Sequence, residues 1–357
     1  MSITLAEASK LSTDILVKGI IETIVKESPI LQKLPFIQIT GNSLKYNREK
    51  TLPTAAWYAP VTGTWTASPP TFEQVSASLC VLGVDADVDN FLKSTRSNVQ
   101  DLEAACIELA AKAVRNEFEN VFLNGDTASD ANQFNGLYTT MKGTAWQASH
   151  AYALAEVVVP TAGLENGFRY ECTTAGTSGA AAPTWNTVEG GTTTDNTVVW
   201  TTRFGCHQGS GANGLTLALD KIDKVIDLVR GAKPDLLLIS RRTRRKIAAL
   251  CRAAGQNLLI GEGRAGEVIE YYNGIPVAIS DWVKDNYSVG SSNDCSAIFA
   301  FQMGEGAVAG LTSPEMLTIE RLGSLETKDA TRTRIKWYVS LADFSYVKCA
   351  MLTGVRE

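Results

Sequence analysis

The residues most suggestive of chemistry are three glycines with the spacing of a dinucleotide-binding loop, Gly261-x-Gly263-x-x-Gly266. Asp281 follows about 20 residues after the first glycine, where such a loop has its ribose-binding carboxylate. The motif needs a long helix directly after it, because the helix N-terminus binds the pyrophosphate. Here a turn at 273–274 and a further predicted strand follow almost at once. We therefore predict a flexible glycine-rich loop without a nucleotide site.

Basic residues crowd the start of a predicted helix, where the helix dipole already places partial positive charge. They are Arg241, Arg242, Arg244, Arg245 and Lys246. These side chains therefore need negative partners, which would be carboxylates of the same subunit, an acidic surface on another subunit, or phosphate. We favour the contact with another subunit.

Catalytic and metal-binding patterns are scarce. The sequence has two histidines, His150 and His207, and it lacks the GxSxG, HExxH and Walker-loop motifs. Its seven cysteines form no CxxC pair, which argues against a zinc or redox site and favours reduced, mostly buried thiols. We predict no catalytic residue, no metal and no cofactor, and hence a protein that is not an enzyme.

Charge and hydropathy restrict the partners. The formal net charge is −5, whereas a protein that wraps nucleic acid needs an excess of Lys and Arg. The N-terminus shows no basic region followed by an apolar run, so no signal peptide is indicated. No apolar run approaches the roughly 20 residues of a membrane helix, and we predict no membrane contact.

The first 86 residues predict an arm and a long two-stranded loop. Residues 1–41 combine an amphipathic helix, which ends at Ser28-Pro29, with an extended tail. That helix either packs on its own domain or docks on another molecule. Residues 42–86 alternate as two strands joined by a long link, rich in proline and aromatic residues, that suits contact with another chain.

The clearest element is a helix over residues 97–124, opened by a Ser97/Gln100 capping box and ended by Gly125. At about 1.5 Å per residue it is roughly 40 Å long. Arg115 and Glu119, one turn apart, are assigned to its polar face.

Composition changes abruptly at residues 144–209, which we call the module. It contains no lysine, and its short alternating runs predict small β-strands interrupting one host domain. Its large aromatic residues are Trp146, Tyr170, Trp185 and Trp200. They would either stack on a sugar or, more often in so small a module, form its core. Cys172 and Cys206 could bridge across the module, although a reducing setting argues against a disulfide during assembly.

From residue 210 onward the pattern is that of an α/β unit with a β-rich end. It predicts a helix over 216–230, a buried strand at 236–239, a helix capped by Ser240, and a strand at 274–279.

In this order, the parts resemble the major capsid proteins of tailed bacteriophages, which have the α+β Hong Kong 97-type fold. The resemblance covers nearly the whole chain outside the module and is carried by many short signatures. They are Glu27-Ser28-Pro29-Ile30-Leu31, Leu34-Pro35-Phe36, Tyr46-Asn47-Arg48-Glu49, Leu52-Pro53, Gly125-Asp126, Phe134-Asn135-Gly136-Leu137 and Asn273-Gly274-Ile275-Pro276-Val277.

The resemblance implies a division of the chain. Residues 1–41 would be the N-terminal arm, 42–86 the E-loop, 87–143 and 306–357 the peripheral domain with its long spine helix, and 210–305 the axial domain, with 144–209 inserted. In that family the arm and E-loop reach over neighbouring subunits. Candidate contacts between subunits are therefore Arg48, Glu49, Trp57, Trp65, Arg241, Arg242, Arg244 and Arg245.

The function implied is structural. The chain would self-assemble as pentamers and hexamers into the icosahedral capsid of a virion, built in the host cytoplasm, enclosing double-stranded DNA without sequence-specific binding. Scaffolding, portal and cementing proteins would be separate partners, and no Lys–Asn crosslinking pair is identified. One alternative is a virion decoration protein or adhesin that binds carbohydrate through the module. Another is a nucleotide-dependent enzyme using Gly261–Gly266.

Overall fold

The computed structural model describes residues 29–60, 62–96, 102–255, 259–262 and 268–357. The predicted N-terminal helix and the Ser97/Gln100 capping box lie outside these ranges. The helices are α1 (Ile30–Lys33), α2 (Asn90–Arg96), α3 (Leu102–Asn124), α4 (Leu137–Lys142), α5 (Leu219–Leu228) and α6 (Arg241–Ala253). The strands of the first part are β1 (Phe36–Gln38), β2 (Ser43–Thr51), β3 (Thr71–Ser78) and β4 (Cys80–Asp89).

The module contributes β5 (Ala151–Tyr152), β6 (Val157–Val158), β7 (Asn166–Thr174), β8 (Gly176–Thr177), β9 (Thr192–Asp195) and β10 (Val198–Gly209). The strands that follow are β11 (Leu215–Thr216), β12 (Leu236–Ile239), β13 (Leu259–Glu262), β14 (Val268–Tyr272), β15 (Ile275–Ile279), β16 (Tyr287–Val289), β17 (Ser292–Phe301), β18 (Val308–Ser324), β19 (Ala330–Asp343) and β20 (Cys349–Arg356). No helix in the described ranges is long and apolar enough to span a membrane. The α+β prediction is confirmed, with strands dominating.

A four-stranded sheet in the order β1-β18-β19-β4 packs against the long helix α3. The helix has 23 described residues, or about 35 Å at 1.5 Å per residue. Its apolar face inserts Phe118 against the sheet, with the Phe118 and Trp337 ring centroids 4.8 Å apart. The predicted helix is confirmed over these residues, and it ends at Gly125 as predicted.

The end of α3 is fixed by two glycines in close contact. The Gly136 amide donates a hydrogen bond of 2.9 Å to the Gly125 carbonyl, and the Gly125 amide donates one of 2.8 Å to Val121. A Cβ on Gly136 would lie 2.7 Å from the Gly125 amide nitrogen, so no larger residue fits without a backbone shift. This contact turns the chain back toward α4.

Glu119 on α3 departs from the sequence prediction. It was assigned to the polar face, but its side chain is fully buried, facing the indole of Trp282 and the backbone of Leu31. Burial raises the pKa of Glu119 from 4.5 to about 7, because the nearby charge of Arg115 only partly offsets the loss of solvation. The predicted polar face is therefore interrupted where α1 and the segment after β15 cover the helix.

The second core lies on a large sheet whose main path runs β13-β14-β15-β12-β17-β20-β10-β7-β6. Helices α5 and α6 cover this sheet with apolar residues such as Ile222 and Ile247, both buried. Ser240 caps α6, since its hydroxyl accepts a hydrogen bond from the Thr243 amide. The predicted α/β unit is confirmed, with strand β12 at the residues expected.

The module folds into β-strands as predicted, but it is not separated from the large sheet. Strands β7, β9 and β10 pair antiparallel with one another, and the end of β10 pairs in parallel with β20, placing His207 opposite Met351. Its aromatic core is separate from the other two cores. The description of residues 144–209 as an inserted domain stays a prediction.

Strands β2 and β3 form a projecting antiparallel hairpin, with Tyr46 opposite Val75. Within the described residues they pair with each other and with no other strand. Their 19-residue connection, residues 52–70, is the tip of the hairpin, and its described residues, 52–60 and 62–70, are mostly exposed. The two predicted strands and their long link are confirmed.

Candidate interaction surfaces

The hairpin tip carries large aromatic side chains with little protein around them. Trp57 is fully exposed and Trp65 is 81% exposed, and the ring of Trp65 stacks on Tyr58 at a centroid distance of 4.2 Å. Leu52 and Phe72, at the base of the tip, are also exposed. Apolar surface of this kind on one subunit marks a contact with another molecule. The structure thus leaves Trp57 and Trp65 available for the predicted contact.

A second apolar surface lies along the outer part of β18, which sequence reasoning missed. Its exposed members are Met316, Leu317, Ile319 and Leu322. Ile319 lies opposite Ile335 on the neighbouring strand, so the two side chains share one face of the sheet. Ile335 is fully buried under α3, whereas Ile319 is exposed. The alternation of Leu317 and Ile319 with polar neighbours is typical of a strand, but the sequence alone does not show which part of the strand is covered.

Arg48 and Glu49, at the root of the hairpin, have different surroundings. Arg48 was a candidate for contact with another subunit, but it is 9% exposed and donates hydrogen bonds to the carbonyls of Asp343 and Phe344. Its guanidinium also stacks 3.9 Å from the ring centroid of Tyr346. The prediction for Arg48 is therefore wrong, because this charge is neutralised and buried within its own subunit. Glu49 points to solvent and stays a candidate.

The four arginines at the start of α6 are matched by acidic groups of the same chain. Arg241 contacts Asp281 at 2.7 Å, Arg242 contacts Asp285 at 3.4 Å, Arg244 contacts Glu270 at 2.8 Å and Arg245 contacts Glu357 at 3.2 Å. The Glu270 hydrogen bond raises the pKa of Arg244, and the Arg244 hydrogen bond lowers that of Glu270. Salt bridges within the subunit therefore supply the negative charge that the helix start requires, and the contact of these arginines with another subunit stays a prediction.

The glycine motif does not lie in a nucleotide-binding context. Gly261 belongs to β13, which pairs antiparallel with β14 as a hairpin, and no helix follows it among the described residues 268–279. Residues 263–267 lie outside the described ranges. Asp281, at the position of a ribose ligand, is bound by Arg241. The hairpin context supports the interpretation of a loop.

The module's aromatic residues form its interior. Trp146, Tyr170 and Trp200 are 5%, 0% and 0% exposed, and Trp185 packs against them with its ring centroid 4.1 Å from that of Tyr170. The indoles of Trp146 and Trp200 both donate hydrogen bonds to the carboxylate of Asp195, at 2.8 and 3.2 Å. Burial of Trp146, Tyr170 and Trp200 argues against sugar stacking on these three rings, and for the half-buried Trp185 it stays a prediction.

Neither histidine belongs to a nucleophilic constellation. His207 is buried, with ring nitrogens 3.1 Å from the Lys142 carbonyl and 2.8 Å from the Thr353 hydroxyl. Burial lowers the pKa of His207 to about 4 and raises that of Glu165, 3.8 Å away, to about 7. His150 packs edge-on to Tyr152.

The cysteines form neither a disulfide nor a metal site. All seven are free thiols, Cys172 and Cys206 included. No group of three metal-ligating side chains occurs in the described part of the chain.

A charge ladder joins β4 to β19. Arg332 binds Asp87 through two hydrogen bonds of 2.6 and 2.7 Å, and Arg334 binds Asp85 through two of 2.7 and 2.8 Å. Both carboxyl pKa values are lowered by these hydrogen bonds. The sequence signal was present, because acids two residues apart in one strand match arginines two residues apart in another. The ladder fixes the register of the sheet under α3.

Comparisons with known proteins agree with this architecture. A sequence model described as the phage capsid family matches residues 11–305. Among solved structures, the capsid of an empty GTA particle is similar with a TM-score of 0.61 and 15% identity, covering 96% of each chain. The SrpI encapsulin complex of Synechococcus elongatus gives 0.60 and 14%, covering 99% of this chain and 96% of that one. The Mycobacterium phage Bobi structure gives 0.54 and 14%, covering 99% of both. No curated protein sequence matches the chain.

Proposed function

The chain belongs to the phage capsid family, and from this membership we propose that it is the major capsid protein of a tailed phage. Its role is structural and not enzymatic. Copies of the chain self-assemble as pentamers and hexamers into an icosahedral shell, in the host cytoplasm, and the shell encloses the double-stranded DNA genome of the virion.

The observation that carries this proposal is agreement over nearly the whole chain. The family match spans residues 11–305, and the similar capsid folds cover 96% to 99% of the chain. A shared fold at 12% to 15% identity does not itself establish function, but the independent sequence match points to the same class of protein.

The hairpin suits a subunit that must hold neighbours. In this proposal β2 and β3 are the E-loop, and the exposed Trp57 and Trp65 at its tip bury their rings on an adjacent subunit. Burying an aromatic side chain provides much of the free energy of a protein interface. Repetition by closed symmetry multiplies such contacts around the shell. The apolar face of β18 offers a second surface that assembly would cover.

The negative net charge is consistent with a shell whose subunits do not bind the enclosed DNA tightly. The net charge is −5, and the arginines of α6, which would otherwise attract phosphate, are matched by acids of the same chain. We propose that the shell encloses DNA without sequence-specific binding. Scaffolding, portal and cementing proteins remain proposed partners.

The alternative of a decoration protein or adhesin has no support. It depended on sugar-stacking aromatics in the module, and three of the four are buried in its core. The family match and the capsid folds span the chain on both sides of the module and do not single it out.

Negative-stain electron microscopy tests the proposal directly. The protein is purified after expression alone and after expression with the neighbouring genes of its source. Closed shells, or rings of five or six subunits, are the expected result. A uniform small oligomer under every condition would contradict the capsid function. Nuclease-resistant DNA in shells from an infected host would distinguish a genome container from a compartment for proteins.

A further inference from the structure

The direction in which the hairpin projects depends on side chains. Strands β2 and β3 pair only with each other in the described part of the chain, so no sheet ladder ties them to the subunit body. The root is held by Tyr46, whose hydroxyl donates a 2.8 Å hydrogen bond to the Asp343 carbonyl, and by Arg48 on Tyr346. Leu44 and Ala77 also pack at the root, against a small apolar cluster that includes Leu311. All of these contacts lie at one end of the hairpin, so contacts further along it bear on the direction in which it projects.

The module supplies a second point of contact further along the same strand. Lys50, on β2, forms a 2.7 Å ion pair with Glu171 of β7. The Glu171 side chain is 11% exposed, and Arg203 of β10 holds its other oxygen at 3.2 Å. Burial acts to raise the pKa of Glu171, but Lys50 and Arg203 outweigh it and hold the pKa below its ordinary value. The carboxylate is therefore charged, and oriented by the module's own arginine before it meets the hairpin.

The contacting residues are spaced alike on the two strands. Arg48 and Lys50 are two apart on β2, at a β-bulge between Glu49 and Thr51, and their contacts with Tyr346 and Glu171 show that both side chains point toward the subunit body. Arg169 and Glu171 are two apart on β7, and the Arg169 guanidinium lies 4.2 Å from the ring centroid of the same Tyr346 that Arg48 contacts. Between hairpin and module lies a cleft of ≈ 410 Å³ lined by these residues. The two elements thus meet through side chains at two levels and not through a continuous core.

We propose that the module is a brace for the hairpin, and that Lys50 and Glu171 are positioning residues that set the direction in which its tip projects. The inference rests on the proposed function, since a defined direction matters only if the tip must meet a neighbouring subunit. Tyr46 and Arg48 form the pivot and the Lys50–Glu171 pair fixes the angle about it. The module then acts in assembly without binding any ligand.

The test compares shell formation in single and double variants. Lys50→Gln and Glu171→Gln are each expected to reduce the fraction of closed, uniform shells several-fold. The double variant is expected to be no worse than Glu171→Gln alone, because that substitution already removes the contact that Lys50→Gln removes. Lys50→Arg, which keeps the charge, is expected to restore shells. Lys45→Gln, an exposed lysine on the same strand, is the matched control and is expected to assemble normally.

A second measurement examines the contact without assembly. A carbodiimide reagent joins amines and carboxylates that touch, and mass spectrometry of the unassembled subunit is expected to find Lys50 linked to Glu171. Absence of this crosslink, or normal shells from both single variants with unchanged subunit melting, would overturn the brace while leaving the capsid function intact. If the wild-type protein forms no shells, the proposed function fails, and a detected crosslink still supports the intrasubunit contact.

Discussion

Glu119 provides a test of how helix α3 is buried. Its carboxyl is fully buried beside Trp282 and Leu31, and burial raises its pKa from 4.5 to about 7. Below pH 4.5 the group is protonated in both the folded and the unfolded chain. Between pH 4.5 and about 7 only the unfolded chain releases the proton. The stability that the protonated group contributes is therefore lost as the pH rises through the folded pKa, and it stays lost above it.

The size of the effect follows from the interval between the two pKa values. About 2.5 pH units at about 1.36 kcal/mol per unit give a loss of roughly 3 kcal/mol in the free energy of unfolding. Glu119→Gln keeps the shape of the side chain and removes the titration. We expect the variant to be more stable than the wild type at pH 8, and the advantage to shrink toward pH 4.5.

The assay is urea unfolding of the unassembled subunit, followed by tryptophan fluorescence at several values between pH 4.5 and pH 8. Glu165 and His207 also titrate in this range, but they are present in both proteins and cancel in the difference. Glu108→Gln, an exposed glutamate of the same helix, serves as the control and should show no pH-dependent difference. A constant difference between Glu119→Gln and wild type across this range would refute the assignment of Glu119 as a buried, protonated group.

Three further outcomes are expected. Trp200→Ala removes a fully buried ring and should destabilise the protein by about 3–5 kcal/mol in thermal or urea unfolding, so an unchanged melting temperature would contradict its place in the module core. Gly136→Ala should lower the melting temperature, because the new Cβ would lie 2.7 Å from the Gly125 amide nitrogen; normal stability would mean that the backbone there adapts freely. Trp57→Ala with Trp65→Ala should change subunit stability by less than about 0.5 kcal/mol, because both side chains are exposed, yet reduce the yield of shells. If electron microscopy shows normal shells from that double variant, the hairpin tip does not contribute to the interface between subunits.

Local sequence patterns predicted most of the elements. The apolar period of α3, the alternation of β2 and β3, and the Ser240 cap each depend on residues a few positions apart, and all are present in the structure. Glu119 shows where this reasoning stops. Its spacing from Arg115 is that of a surface pair, but coverage by α1 and by Trp282, both distant in sequence, decides its burial.

The sequence predicted which side chains need a charged or apolar contact, but not which residues provide it. The helix dipole showed that the arginines of α6 need acids, but their partners lie 26 to 112 residues away in the same chain. Arg48 finds Asp343 across 295 residues, a distance over which one sequence gives no pairing signal. Trp57 and Trp65 were predicted to contact another chain because they lie in a long link rich in proline and aromatic residues, and the structure leaves them exposed.

The position of β20 has a consequence for synthesis of the chain on the ribosome. It lies between β17 and β10, and β10 ends at Gly209, about 150 residues before β20 is complete. At about 5–20 residues per second, β10 waits roughly 7–30 seconds for its partner. During that time the edge of β10, and once β17 is complete at Phe301 also the edge of β17, are open to strands of other nascent chains on the same messenger. High-level expression should therefore depend on chaperones that shield these edges until residues 349–356 emerge.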